Sequence, residues 1–320
     1  MKKSMSIMVS TVIVILGIII ILFFYSNDDL KKTSVKDDIA YLTRLAEQGD
    51  MKAQTDLGLA YGNGNGTVQD YTKATYWYNK AAKQGYAPAQ FNLGLFYENG
   101  WGNVKDLQQA IEWYTKAAEQ DMTRAQVNLG QMYLTGSGVQ QNYTEAKKWL
   151  LKAAEKNDTN AMNNIGQIYV QGLGVEKDNI QAENWYIKAV NLGSMSARNS
   201  LGAFYGRGLG RYSGDRDKAL PLVEASACQG YIPAQINLGS FYTENDGEAP
   251  VDYKKAYAWY YVAYTNGAIN SENELNSLTR KMSGEELIDA KKMAAEYSQK
   301  YRSSPIEDDT YKSQTECRYP

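Results

Sequence analysis

Asparagine stands two residues before a recurring glycine at Asn92, Asn128 and Asn164. Asn237 takes the same place later in the chain, with Asp56 and Ser200 in the remaining units. A side-chain amide carries donors and an acceptor, so such a column could pair with the backbone of an extended peptide. Asparagine is a poor mid-helix residue, and its recurrence needs a cause. Two causes fit: a bound protein segment, or amides that bond between neighbouring helices. Residues one helical turn away share the face, Lys52, Arg124, Asn160 and Ser196 before the column and Gln131 and Gln167 after it. This is the chemistry of binding, and these twelve positions form the expected partner-binding set.

Bond-making chemistry finds little support. The chain has no histidine and two cysteines, Cys228 and Cys317. That removes the usual zinc ligand sets and the commonest general base. Gly206, Gly208 and Gly210 imitate a dinucleotide fingerprint, but a helix pattern precedes them where a strand is required. There is no G-x-S-x-G elbow, and no serine is followed three residues on by lysine. The carboxylate pairs Glu285-Glu286 and Asp308-Asp309 fall in a capping box and a polar tail, where solvated charge explains them. The expectation is therefore no enzyme, no cofactor and no metal. A formal charge of −2 without a basic stripe makes nucleic acid an unsuitable partner.

The elements that position the asparagines follow from periodicity. Gly58, Gly94, Gly130, Gly166 and Gly202 recur at 36-residue steps, with Gly239 one residue late. Tyr61, Tyr97, Tyr133, Tyr169, Tyr205 and Tyr242 follow three residues behind, and Trp77, Trp113, Trp149 and Trp185 keep the same step, with Trp259 rejoining the column. A period of this size means one supersecondary unit copied and stacked. In the third unit Ala125, Leu129, Met132 and Tyr133 have helical spacing (helix A). Gly136 and Gly138 break that helix, and Ala146, Trp149, Leu150, Ala153 and Ala154 line one face of a second (helix B). The fold class is all-α. Glycine inside helix A costs about 1 kcal/mol against alanine, which close approach of another helix would offset. The aromatic columns are core.

The pattern A-x-x-x-L-G-x-x-Y, then G-x-G, then A-x-x-W-Y-x-K-A-A-x-x-G resembles the Sel-one-like repeat, a relative of the tetratricopeptide repeat. Ala53, Leu57, Gly58, Tyr61, Gly64, Gly66, Asp70, Ala74, Trp77, Tyr78, Lys80, Ala81, Ala82 and Gly85 carry the match. The resemblance implies a right-handed α-solenoid of about six repeats, near 53–88, 89–124, 125–160, 161–196, 197–233 and 234–270. It also implies a protein-binding adaptor without catalysis, and places the asparagine register on a concave groove. The fifth unit departs, with Leu222-Val223 for Trp-Tyr and a Pro221 in helix B. Members with paired cysteines staple each hairpin; this chain has no such pairs, and Cys228 reads as a small core residue in preference to a bridge to Cys317.

The ends differ from the repeats. Lys2 and Lys3 precede an apolar run from residue 7 to 25 broken by Ser10, Thr11 and Gly17. At ~1.5 Å per residue it spans roughly 28 Å, about a bilayer's hydrocarbon thickness. Phe24 stands where a cleavage site needs a small residue, so residues 1–26 read as an uncleaved signal anchor, the alternative being an atypical cleaved signal. A linker at 27–36, the repeat body at 37–302 with a C-terminal cap at 271–302, and a loose tail at 303–320 complete the organisation. The body is expected on the periplasmic side of the inner membrane of a bacterium, anchored by its first helix and bound to a protein partner. The alternative role is an immunity protein against a periplasmic lipase-like toxin, and behind it a cell-wall or β-lactam-active enzyme.

Overall fold

The computed structural model describes residues 38–210, 216–243 and 251–301, and every regular element among them is helical. The expected anchor and linker and the tail lie outside the described residues. Among the described residues no helix is long and apolar enough to cross a membrane. The chain divides into two compact units, Met1–Gln140 and Gln141–Pro320.

In the first unit, helix α1 (38–47) leads into α2 (Met51–Asn63), α3 (Tyr71–Lys83), α4 (Ala87–Asn99), α5 (Leu107–Glu119) and α6 (Thr123–Thr135). The α2/α3 and α4/α5 pairs are the A and B helices of successive hairpins. Local chemistry sets their ends. Asp50, Asp70 and Asp106 each accept a backbone N–H three residues on, at 2.7, 2.9 and 3.0 Å, satisfying donors that a helix start leaves unpaired. Each A helix stops at a glycine in the left-handed region, Gly64, Gly100 and Gly136. The second turn glycine has a different reason. At Gly102 a Cβ would run into the Tyr71 carbonyl, so the turn of one hairpin rests directly on the preceding B helix.

The helix-A glycine is explained by a tyrosine ring. A Cβ on Gly58 would lie 2.7 Å from the ring of Tyr78, and one on Gly94 would lie 2.7 Å from the ring of Tyr114. The close approach expected from sequence is therefore made by the residue after the tryptophan, within the same hairpin. The tryptophans pack alongside, with Trp77 and Trp113 buried. A lysine three residues on covers each ring: Lys80 Nζ lies 5.0 Å from the Trp77 centroid and Lys116 Nζ 4.1 Å from that of Trp113.

The second unit holds α7 (Tyr143–Glu155), α8 (Thr159–Gln171), α9 (Asn179–Asn191), α10 (Met195–Gly206), α11 (Arg216–Cys228), α12 (Ile232–Phe241) and α13 (Tyr253–Thr265). A 3-10 turn, Ile269–Ser271, then opens α14 (Glu272–Thr279), and α15 (Gly284–Lys300) follows. The expected capping box is present: Ser283 N donates to Glu286 Oε2 at 2.8 Å, and Glu286 N donates to Ser283 Oγ at 3.3 Å. In the irregular fifth repeat Val223 replaces the tyrosine against Gly202. One expectation is corrected. Cys228 is half-buried and disulfide-bonded, not a plain core thiol. The chain's other cysteine, Cys317, lies outside the described residues. Sequence alone misses the bond because two cysteines far apart in the chain show no spacing to read.

Burial raises the hydroxyl pKa of Tyr186 to about 12, and that of Tyr297 to about 12. Both start from 10.0, so the folded form holds protons that the unfolded form releases. Their contribution is whole below pH ~10 and is lost as pH rises through ~12. Thermal melts of the second unit across pH 9–12 should show Tm falling from about pH 10 upward; a flat profile would contradict this burial.

Candidate functional site: the polar face of the A helices

The asparagine column sits at one level of successive A helices, and the helix period holds it beside the buried leucine and glycine of the same turn. Asp56, Asn92, Asn128, Asn164, Ser200 and Asn237 are all half-buried. In the first unit the Asn128 side chain hydrogen-bonds the Tyr114 oxygen, while Tyr114 OH donates to Glu98 Oε2 at 2.6 Å. Burial, reinforced by the Glu98 carboxylate, pushes the Tyr114 hydroxyl well above the usual tyrosine range. Burial does the same to Tyr78, and the charge of Asp56 adds to it. In the second unit Asn237 Nδ2 donates to Asn199 Oδ1 at 2.9 Å, joining α12 to α10. Bonding between helices thus accounts for part of the column.

The neighbours one turn away are sorted by exposure. Lys52, Arg124 and Gln131 are exposed in the first unit. In the second, Asn160 is exposed and Gln167 is half-buried, whereas Ser196 is turned inside at 9% exposure, its Oγ 3.0 Å from Ser194 Oγ. Ser196 therefore leaves the expected face: the chain enters α10 through the Ser194 cap, and that hydroxyl pair is enclosed. Each unit presents its own run of polar A-helix positions. These can offer amides, a lysine and a guanidinium to a peptide.

A second amide column was not anticipated. Gln54, Gln90, Gln126 and Gln235 are buried, and each Nε2 donates to the carbonyl eight residues earlier: Ala46, Ala82, Ala118 and Ala227, at 2.9, 3.2, 3.1 and 3.0 Å. In three of the four the side-chain oxygen is used too. Gln84 Nε2 donates to Gln54 Oε1 at 2.8 Å, Gln120 Nε2 to Gln90 Oε1 at 2.7 Å, and Asn266 Nδ2 to Gln235 Oε1 at 3.0 Å. These glutamines fasten α2, α4, α6 and α12 each to the end of the helix before it. The readable signal was the Ala-Gln dipeptide at 53–54, 89–90, 125–126 and 234–235.

No group of His, Cys, Asp or Glu suited to a metal ion occurs among the described residues. The second unit contains a pocket of about 520 Å³ between α7 and α9, floored by Met162 of α8.

Six consecutive segments, 52–86, 87–122, 123–158, 159–194, 196–231 and 232–267, match the Sel1 repeat. No curated protein matches the chain. A protective antigen present in uropathogenic Escherichia coli strains, displaying an SLR fold, is similar in structure at 33% identity and a TM-score of 0.73. The match covers 83% of this chain and 57% of the antigen, so this chain spans little more than half of that protein. A Sel1 repeat protein from Oxalobacter formigenes is similar at 36% identity and a TM-score of 0.67, over 73% of this chain and 92% of that one. The immunity protein Pa5087 of Pseudomonas aeruginosa matches at 23% identity and a TM-score of 0.44, over 67% of this chain and 81% of that one, a likeness that carries no argument about role.

Proposed function

Because the chain belongs to the Sel1 repeat family, whose members are generally protein-interaction scaffolds, we propose that it is a membrane-anchored adaptor of the bacterial envelope. In this reading the repeats stack as a right-handed α-solenoid and bind a protein partner along the polar face of the A helices. One observation carries the binding part: half-exposed amides recur at the same turn of successive A helices, flanked by exposed Lys52, Arg124, Gln131 and Asn160. Asn128 gives one bond to Tyr114, and an amide has capacity for more. The apolar run at 7–25 supports the anchor. The disulfide at Cys228 supports an oxidising compartment for the body.

The double variant Asn128→Ala/Asn164→Ala tests the face. Partners are first captured in intact cells through a photo-reactive residue at Gln131. The variant should then lose that crosslink while its melting temperature stays near that of the parent. Retained crosslinking, or a large drop in melting, assigns the amides to the fold alone. A reporter fused after Pro320 reads which side of the membrane the body occupies.

A further inference from the structure

Four asparagines in this chain are followed by glycine: Asn63, Asn65, Asn99 and Asn266. The dipeptide is reactive because glycine has no Cβ to shield its backbone nitrogen. That nitrogen can attack the Cγ of the asparagine before it, an intramolecular step that needs no enzyme. Sequence makes the four equivalent. The fold separates them, because the attack consumes the glycine N–H and moves the side-chain amide, and either group can be committed elsewhere.

Three of the four are held. Asn63 is the last residue of α2, and the Gly64 N–H donates to the Ala60 carbonyl as the helix cap. Asn99 ends α4 in the same way: the Gly100 N–H donates to the Phe96 carbonyl, and Asn99 Nδ2 to the Leu95 carbonyl at 2.9 Å. After Asn266 the Gly267 N–H donates to the Tyr264 carbonyl at 3.0 Å. The Asn266 side chain is clamped as well, Nδ2 donating to Gln235 Oε1 and to the Tyr301 carbonyl, each at 3.0 Å. Attack at any of these must first open a helix end.

Asn65 is the exception. It stands at the tip of the first hairpin, between two left-handed glycines, Gly64 at φ 72° and Gly66 at φ 73°. Asn65 and Gly66 are both exposed. The Asn65 side chain and the Gly66 N–H have no hydrogen-bond partner among the described residues. The bend itself is pinned on both flanks. The Asn65 N–H donates to the Ala60 carbonyl at 2.9 Å, and Gln69 Nε2 donates to the Gly62 carbonyl at 2.8 Å. Steps of 36 residues put Trp101, Ser137 and Leu173 at the same place in later turns, so none of those tips repeats the reactive pair.

We propose that Asn65 is a self-modification site, converting to aspartate and isoaspartate through a succinimide. The Gly66 nitrogen bonds to Asn65 Cγ, the side-chain nitrogen leaves with the displaced proton as ammonia, and a five-membered imide closes. Water then adds to one imide carbonyl and breaks its C–N bond. Opening at Cγ gives aspartate; opening at the main-chain carbonyl gives isoaspartate, in which the backbone runs through the former side chain. Both products carry a new negative charge just past the end of α2. The site stands independently of the adaptor reading.

The test ages the full chain in heavy-oxygen water at mildly alkaline pH, followed by digestion in acid and mass spectrometry with fragmentation that tells Asn65 from Asn63. Heavy oxygen should enter Asn65 faster than Asn63, Asn99 or Asn266, by about tenfold or more. The rate at Asn65 should rise with pH, because the Gly66 nitrogen attacks once deprotonated. In concentrated urea, where the hairpins are unfolded, the four should react at similar rates. Labelling of Asn65 no faster than the other three, or a lead that persists unchanged in urea, overturns the proposal.

Discussion

Trp259→Ala should lower the denaturant midpoint of the C-terminal cap further than any exposed substitution, with a loss of about 3–5 kcal/mol. The ring is 0% exposed, stacks on Tyr301 at 5.1 Å between centroids, and meets Tyr297 at 5.2 Å. It packs between α13 and α15, so its removal leaves a cavity that the two tyrosine rings cannot close without moving the helix ends. Hydrogen exchange locates the effect: amides of α13 and α15 should speed up while those of α2 to α5 keep parental rates, because repeat stability is built from neighbour contacts. Trp259→Phe should recover much of the loss, since the indole Nε1 is buried without an acceptor among the described residues. Uniform acceleration across both units would show that the cap is not a local cooperative block.

What the residues revealed depended on whether the responsible force repeats along the chain. The hairpins, the αL glycines and the aromatic core recur at 36 residues because every hairpin solves the same packing problem, and so they could be read. The glycine–tyrosine contact was half visible. Gly94 announced a close approach, but only the structure says that Tyr114, and not Trp113, makes it. The glutamine column was missed although Gln54, Gln90 and Gln126 keep perfect step. A glutamine is an ordinary helix residue and asks for no cause, whereas asparagine does. The legible signal therefore falls on Asn128, whose amide is partly engaged with Tyr114, and not on Gln90, which is buried and doubly bonded. Cys228 and the Met162/Leu192 pocket were illegible for the opposite reason. Each is a single departure, and a departure gains meaning from what stands across from it in space. A binding face has no period of its own either, which is why the exposed Lys52 and Arg124 could be placed but their partner could not be named.

The second large effect is expected at the glycine itself, where a single carbon decides. Gly94→Ala should cost about 1–3 kcal/mol, as overpacking does, even though alanine gains about 1 kcal/mol of helix propensity over glycine. The new Cβ would fall 2.7 Å from two ring carbons of Tyr114. That ring cannot step aside easily: it is 0% exposed, and its hydroxyl is tied to Glu98 at 2.6 Å. Sterics therefore outweigh propensity, and the sign of the change is destabilising. Valine is no compensating partner, because in the fifth repeat a Cβ on Gly202 would lie 2.5 Å from Val223 Cγ2; the space must be opened further, by alanine. Tyr114→Ala alone should destabilise by removing a buried ring and its hydrogen bond. Combining it with Gly94→Ala should add little further loss, giving a coupling of about 1 kcal/mol or more in a double-mutant cycle. Additive losses would mean that the helix-A glycine serves backbone geometry and not the tyrosine ring. Coupled losses would tie both columns of the repeat to one contact, made again in each hairpin that carries the pair.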